Sequence, residues 1–465
     1  MAASGGAPHP TVVLNVVGLT GRLIGPETPR LAAFARAGAQ ASLRTVTPAV
    51  TCTVQSTFLT GALPRDHGIV ANGWYFRDLA QVWLWRQSNH LVQGEKVWQT
   101  ARRRDPSFTC AKMFWWYNMY ADVDWSVTPR PVYLADGGKV FDIYGAPADL
   151  PARLKDELGE FPFFTFWGPK AGIACSEWIA AASRLVFDWH RPSLTLVYLP
   201  HLDYNLQRLG PADPAIHADL RAIDDICGRL IDHFRAAGAH VVILSEYGIT
   251  AVQGPVHINR ELREHGWIAV RPELGLETLD AGASEAFAVA DHQLAHVYVR
   301  NPAKVADVKR VLERMPGIER VLDAARKADN GLDHERSGEL VAISEPDRWF
   351  TYYYWFDDKV APDFARTVDI HRKPGYDPAE LFVDPELAVP LAKVAWTLLK
   401  KRLGFRYLMD VIPLDAGLVK GSHGRLTDDP LDGPVFISSQ KDMVREESVA
   451  ATDVRQLLLQ HLFPS

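Results

Sequence analysis

The sequence has few cysteines and no long apolar segment. Its 465 residues include four cysteines without a Cys-x-x-Cys pair: Cys52, Cys110, Cys175 and Cys227. This spacing excludes a zinc ribbon and a disulfide framework, and it fits reduced thiols in a cytoplasmic protein. No apolar run approaches the ~20 residues of a membrane-spanning helix. The first residues lack the basic leader and cleavage site of a signal peptide, so we expect a cytoplasmic location.

The sequence also lacks an excess of positive charge. Fifty Lys and Arg stand against 56 Asp and Glu, which gives a formal net charge of -6. Nucleic acids and anionic membranes bind proteins through basic surfaces. We therefore expect neither a nucleic acid nor a membrane as partner, and any recognition of phosphate has to be local.

Short β-branched or apolar runs alternate with amphipathic stretches. The runs cover residues 11–17, 109–115, 194–199, 240–245 and 295–299, and they predict buried strands. Residues 29–37, after Thr28 as N-cap, and residues 214–236 predict helices. This alternation indicates an α/β fold with a mostly parallel sheet covered on both faces. Ligands bind such sheets at the carboxyl ends of the strands, so the residues after each run are the candidates for chemistry.

Two regions interrupt the alternation. Residues 74–168 are rich in aromatic side chains and predict an insertion on the substrate side. Residues 262–419, which include the aromatic segment 349–355, predict a second insertion or cap, and residues 420–465 return to the core. We expect one domain over residues 1–465 that carries both insertions.

Residues 47–61 form the most informative segment. A proline precedes a helix predicted from Cys52 to Thr60, which places Thr51 at or just before the helix N-terminus. Unpaired amides and the helix dipole favour a phosphate there, and a hydroxyl in that place can attack phosphorus. The alternative interpretation is that Thr51 only caps the helix, as many threonines do.

This segment resembles the nucleophile helix of the nucleotide pyrophosphatase/phosphodiesterase family in the alkaline phosphatase superfamily. The shared pattern is Pro-x-x-Thr51, a helix, Thr-Gly, Pro-x-x-His-Gly-Ile and then Asn72, and residues 28–31, 198–203 and 422–430 match in order. The resemblance implies an alkaline-phosphatase-like, three-layer α/β/α fold with a mostly parallel central sheet and two insertions. It also implies that Thr51 is the nucleophile and that Asn72 donates to a non-bridging phosphate oxygen.

Members of this family hold two metal ions, usually zinc, and this sequence keeps part of the ligand set. Val17 replaces the aspartate that ends the first strand, the Asp-x-x-x-His pair reads Asp203 to Gln207, and the Asp-His pair reads Glu246-Tyr247. We expect at most one divalent ion, zinc, manganese or magnesium, instead of a conventional zinc pair. The expected ligands are Asp203, Gln207, Glu246 and His423.

Other residues near the expected site have two interpretations. Asn15 lies two residues before Val17 and shares its side of a pleated strand. His292 and His296 are spaced for one face of a helix or strand, as a ligand pair or, preferably, in structural roles. The aromatic segment 113–120 predicts either a packed core or a substrate pocket. In the second case the substrate contacts are Asn72, Trp115, Tyr117 and Tyr247.

These patterns predict a metal-assisted phosphoric-ester hydrolase of phosphodiesterase or phosphatase type, which uses a threonine nucleophile on a small phosphorylated metabolite. The alternative is a non-catalytic or chemically altered member of the same fold that binds a phosphorylated or aromatic ligand in the old active site. Val17 and Tyr247 favour this alternative, because a two-metal hydrolase that loses ligands has to change its chemistry. The oligomeric state is not predicted.

Overall fold

A nine-stranded sheet organises the chain, whose computed structural model describes residues 7–135, 138–444 and 446–464. The strands are β1 (Thr11–Val16), β2 (Ala39–Arg44), β3 (Gly73–Phe76), β4 (Gln81–Leu84), β5 (Cys110–Met113), β6 (Trp125–Pro129), β7 (Val132–Tyr133), β8 (Lys139–Val140), β9 (Ile143–Ala146), β10 (Leu194–Leu199), β11 (His240–Leu244), β12 (Thr250–Ala251), β13 (Gly254–Val256), β14 (Val270–Glu273), β15 (Leu276–Leu279), β16 (Ala286–Asp291), β17 (Leu294–Val299), β18 (Ile318–Leu322), β19 (Leu340–Ser344), β20 (Arg348–Phe350), β21 (Gly421–Ser422), β22 (Val435–Ser438) and β23 (Ser448–Ala450).

Helices connect and cover these strands. They are α1 (Pro29–Ala37), α2 (Thr51–Thr60), α3 (Pro64–His67), α4 (Val97–Arg104), α5 (Leu150–Leu158), α6 (Ile173–His190), α7 (His201–Leu209), α8 (Ile216–Ala236), α9 (Ile258–Glu264), α10 (Val305–Leu312), α11 (Ala324–Asp329), α12 (Pro390–Arg402) and α13 (Val454–Leu462). Among the described residues, none of them is both long and apolar enough to cross a lipid bilayer.

The central sheet runs in the order β23-β2-β22-β11-β1-β10-β5-β6-β9. Its middle is parallel: β1 pairs with β10 and β11, and β5 pairs with β10 and β6. Every residue of β1 and β10 is buried, as expected for strands covered on both faces. The α/β prediction is confirmed, and α1 and β10 have the predicted bounds.

The two predicted insertions differ in how they join this sheet. Within residues 74–168, β5, β6 and β9 belong to the central sheet, while β3 and β4 form a separate hairpin. Within residues 262–419, β16, β17, β18 and β19 form an antiparallel sheet of their own. The predicted strand at residues 295–299 therefore exists, but it belongs to this second sheet.

Helix α2 begins at Thr51 and is buried along its whole length. Val50 is the N-cap residue, so capping is not the role of the Thr51 hydroxyl. At the other end Gly61 has a φ of 67°, and this left-handed conformation, which glycine adopts without a steric penalty, ends the helix.

A buried ion-pair cluster fixes the segment that carries Tyr376. Lys373 Nζ lies 2.7 Å from Asp377 Oδ2 and 2.8 Å from Glu380 Oε1, and all three side chains are almost fully buried. Glu380 also accepts hydrogen bonds from the Trp167 indole and the Asp369 amide. The charges are therefore satisfied inside the protein, and Tyr376 is held between two members of the cluster.

Lys373→Met should lower the free energy of unfolding by about 3–5 kcal/mol, because two buried carboxylates would lose their shared cation. Arg372→Met is the matched control: this neighbouring side chain is largely exposed and 3.5 Å from Asp369, so its loss should cost no more than about 1 kcal/mol. Urea denaturation measures the free energy of unfolding of both variants. Equal losses in the two variants would show that the cluster does not stabilise the fold.

Candidate active site

The predicted site residues meet at the carboxyl ends of the central strands. Asp203 lies in the first turn of α7, directly after β10, and Glu246 and Tyr247 follow β11. Parallel strands bring these ends to one edge of the sheet, and the N-terminus of α2 places Thr51 there.

A hydrogen-bonded chain leads from Thr51 to Asp203. The Tyr247 hydroxyl donates to Asp203 Oδ1 at 3.2 Å and lies 3.1 Å from Thr51 Oγ1. Because a phenol has one proton, the Thr51 hydroxyl is the donor to Tyr247. Gln207 Nε2 donates to Asp203 Oδ2 at 2.8 Å. Burial raises the pKa of Asp203 to about 7, although these two donors oppose the shift.

Glu246 receives amide donors on one of its two oxygens. Asn15 Nδ2 and Gln55 Nε2 both lie 2.6 Å from Glu246 Oε1, and Oε2 has no partner among the described residues. Burial raises the pKa of Glu246 to about 8 against the effect of both donors. Asn15 therefore reaches the site, as the pleat of β1 predicted.

His423 lies between aromatic rings and presents one nitrogen to Asp203. Its Nδ1 donates to the Ala49 carbonyl at 2.8 Å, and its ring stacks on Tyr247 with centroids 3.6 Å apart. Burial holds the pKa of His423 well below its usual range. The ring is therefore neutral, and its Nε2, 3.9 Å from Asp203 Oδ1, is an acceptor.

Asp291 belongs to the site and was not among the predicted site residues, and His292, which was considered only together with His296, lies beside it. Asp291 accepts two hydrogen bonds from Asn72, one from its backbone nitrogen at 2.7 Å and one from its side-chain Nδ2 at 3.0 Å. It accepts a third from His292 Nδ1 at 2.7 Å. Asn72 Oδ1 accepts from the Cys52 amide at 2.9 Å. Asn72 is thus fixed between the second sheet and the first turn of α2. An Asp-His pair next to a strand end was the available signal.

His292 and His296 do not form a ligand pair. His292 has a φ of 62° in the turn after β16, and its ring stacks on His423 and on Tyr376. His296 is buried in β17, where its two nitrogens contact the Val70 carbonyl and the Gly338 amide. The preferred structural interpretation therefore holds for His296.

The aromatic segment after β5 packs beside α2. Tyr117 contacts the Cys52 thiol, and Trp115 is fully buried. Trp116 was not predicted: its ring lies 4.7 Å from that of Trp85, and its amide donates to Gln55 Oε1. The arrangement is a packed wall in which Gln55 links the segment to Glu246.

Buried Lys112 holds this wall in place. Its Nζ donates to the carbonyls of Trp116 and Tyr117 at 2.8 and 2.7 Å. Tyr117 has a φ of 52°, a conformation that costs a non-glycine residue energy. Burial lowers the pKa of Lys112 to about 7. A neutral amine has two protons, which matches the two carbonyls.

The donor set does not fit a zinc pair. In the described parts of the chain, no three His, Cys, Asp or Glu side chains are grouped as metal ligands. Two amide donors occupy Glu246 Oε1, and Val17 provides no ligand. The facing acceptors of Asp203 and His423, 3.9 Å apart, fit a single cation that completes its shell with other oxygens.

Comparisons with known proteins agree with this architecture. A profile of the family described as type I phosphodiesterase / nucleotide pyrophosphatase matches residues 11–377. No curated protein matches the sequence.

Solved structures are similar over nearly the whole chain. Murine ectonucleotide pyrophosphatase / phosphodiesterase 5 in complex with AMP is 14% identical, with 98% of this chain and 95% of that chain covered and a TM-score of 0.58. Phosphonoacetate hydrolase from Sinorhizobium meliloti 1021 in complex with phosphonoformate is 13% identical, with 98% of this chain and 96% of that chain covered and a TM-score of 0.62. These likenesses confirm the predicted alkaline-phosphatase-like fold.

Lys112→Met should change how stability depends on pH. Lysine in an unfolded chain has a pKa near 10.4, whereas that of folded Lys112 is about 7. Between these values the unfolded chain binds the extra proton, so the free energy of unfolding rises with pH by up to about 1.4 kcal/mol per unit. Urea denaturation from about pH 7 to about pH 9 should show a smaller rise for the variant. Parallel curves would show that folded Lys112 is charged.

Proposed function

We propose that Thr51 is the nucleophile of this chain, which belongs to the type I phosphodiesterase / nucleotide pyrophosphatase family of phosphoester hydrolases. The observation that carries the proposal is the position of Thr51 as the first residue of α2, with its hydroxyl in a hydrogen-bonded chain to Asp203. The helix N-terminus favours a phosphate at this hydroxyl.

The reaction has two steps at Thr51. In the first, Oγ1 forms a bond to phosphorus, the bond from phosphorus to the ester oxygen breaks, and the alcohol leaves with the proton of the hydroxyl. In the second, water attacks the phosphorus bound to Thr51 and restores the Thr51 hydroxyl, and the product that leaves is phosphate from a monoester substrate or a phosphate monoester from a diester substrate. The fixed position of α2 supplies orientation in both steps.

Asn72 is the proposed donor to a non-bridging oxygen. Its Nδ2 gives one proton to Asp291, and the second proton stays available. Because the Asn72 side chain is tied at both its oxygen and its nitrogen, it reaches the phosphate without losing further conformational freedom.

A small phosphorylated metabolite is the proposed substrate. The murine structure is described as inactive, carries a threonine-to-alanine substitution and contains AMP. The bacterial hydrolase binds phosphonoformate in one structure and phosphonoacetate in another. Trp115, Tyr117 and Tyr247 remain the proposed substrate contacts.

A divalent ion would be held by Asp203 and His423, with Gln207 as a third ligand once its amide turns its oxygen away from Tyr376. Such an ion stabilises negative charge on a transferring phosphoryl group. Glu246 was expected to be a fourth ligand, but it is held instead by Asn15 and Gln55. We propose that its role is to position Gln55 and, through it, the aromatic wall.

A non-catalytic binding role is the second candidate. The observation that favours it is that Tyr247 lies against the Thr51 hydroxyl and that both are almost fully buried. A substrate has to displace the phenol before attack occurs. A protein that only binds a phosphorylated ligand has no such requirement.

Thr51→Ala should lower turnover by at least about a thousandfold, because it removes the attacking oxygen. Thr51→Ser keeps the hydroxyl and is the matched control. Hydrolysis of para-nitrophenyl phosphate and of bis-para-nitrophenyl phosphate, together with AMP binding by calorimetry, separates the candidates. Unchanged kcat in Thr51→Ala would remove Thr51 from the mechanism. Tight AMP binding without turnover of any ester by the natural protein would favour the binding role.

Metal analysis tests the ion separately. Protein purified without chelator or histidine tag should hold at most one tightly bound divalent ion per chain, and His423→Phe, which keeps the stacked ring, should abolish its binding. Gln207→His adds an imidazole ligand and should tighten binding. Calorimetric titration with Mn²⁺ and with Zn²⁺ measures the affinity and the number of ions bound by each variant. Two ions bound per chain would contradict the single-ion site.

A further inference from the structure

Helix α12 carries its apolar side chains on the outside. Leu391 is 80% exposed, Trp396 58% and Leu398 51%, whereas the buried residue of this helix is Thr397. A surface helix ordinarily turns its apolar stripe toward the core and its polar side chains toward water. Here the orientation is reversed.

The exposed apolar area is concentrated in one segment. Nine of the 24 large hydrophobic side chains that are exposed in the described parts of the chain lie between Val389 and Leu408. Single exposed apolar residues are common on protein surfaces, but a contiguous patch marks an interaction surface. We call residues 389–408 the basic apolar segment.

One side of α12 packs against the rest of the protein. Val394 packs against the small cluster of Ala379, Val411 and Ile412, and Lys393 Nζ lies 2.9 Å from Asp410. At about 3.6 residues per turn, Leu399 projects from the side opposite Val394, and Leu391 and Leu398 lie on the flank between them, where both are exposed. The patch is therefore a fixed part of the fold.

The segment is also strongly basic. Between Glu386 and Asp410 the sequence has no acidic residue and five basic ones: Lys393, Lys400, Lys401, Arg402 and Arg406. Lys393 and Arg406 have acidic partners, whereas Lys400, Lys401 and Arg402 have none among the described residues. Lys400 Nζ lies 5.7 Å from the centroid of the Trp396 ring, so the charge flanks the apolar face directly.

We propose that the basic apolar segment docks on an anionic lipid surface. The exposed leucines, Trp396 and Phe405 enter the boundary between headgroups and acyl chains, and the unpaired basic side chains contact lipid phosphates. Helices that lie in a membrane interface have this composition, with Trp, Phe and Leu on one face and Lys and Arg beside it. Each basic residue near such a surface adds roughly fivefold in affinity.

The positive charge of this segment favours an anionic lipid surface over a second copy of this chain as its partner. Two copies joined through this face would bring their unpaired basic side chains together, and like charges at short range oppose association. The expectation of no membrane partner rested on the net charge of -6, which averages over the whole chain. Docking depends on the local charge, because salt screens interactions beyond about 10 Å.

Flotation with lipid vesicles tests the proposal on the full chain. The protein should bind vesicles of phosphatidylcholine mixed with phosphatidylglycerol, bind pure phosphatidylcholine far less, and dissociate at high salt. Lys400→Gln with Lys401→Gln and Arg402→Gln should weaken binding roughly hundredfold. Trp396→Gln with Leu399→Gln should also weaken it. The control Leu274→Gln changes an apolar residue that is 86% exposed outside the segment, and should bind normally.

Hydrogen exchange locates the contact, because anionic vesicles should protect amides of residues 389–408. Absence of binding to anionic vesicles, or equal binding by the triple variant, would overturn the proposal. So would a dimer in sedimentation velocity that the Trp396→Gln, Leu399→Gln variant loses, since a second copy would then cover this face. Circular dichroism of every variant shows that the fold is retained.

Discussion

Three carboxyl groups are buried around the candidate site: Asp203 and Glu246 at the edge of the central sheet and Asp291 at the end of β16 in the second sheet. Each needs hydrogen-bond donors there. Neutral side chains meet this need: Tyr247 and Gln207 donate to Asp203, and Asn15 and Gln55 donate to Glu246. The resemblance to the family implies histidine ligands at positions 207 and 247. Here Gln207 and Tyr247 donate hydrogen bonds to Asp203, so this carboxyl group lies at the centre of a hydrogen-bond network.

The network also explains why distant segments have fixed positions. Gln55 joins Glu246 to the Trp116 amide, and Asn72 joins Asp291 to the Cys52 amide. Both chains of contacts pass through α2. The helix that presents Thr51 is therefore held from the central sheet, from the aromatic wall and from the second sheet together.

The central sheet and Thr51 were predictable because their signals are local. Strand β10 is an apolar run, α1 starts at a proline, and Thr51 stands in a motif with a proline before it. For Asp291 the only local signal was an Asp-His pair at a strand end, and its partner Asn72 is 219 residues away, so its role depends on a contact that the sequence does not reveal. The role of Lys112 was not predictable either, because the two carbonyls that accept its hydrogen bonds are brought near only by the folded loop. The apolar residues of α12 have the pattern of a core helix, and their exposure depends on packing that the sequence does not contain.

Asn72 donates two hydrogen bonds to Asp291 of the second sheet, although Asn72 itself follows α2 along the chain. The proposed phosphate pocket thus joins the α2 region to the second sheet, and it is complete only while the two stay docked. A motion that breaks the contact between Asn72 and Asp291 would release the Asn72 side chain from one of its two anchors. We therefore expect substitutions at this contact to weaken the affinity for a phosphorylated ligand even where they leave Thr51 unmoved at the start of α2.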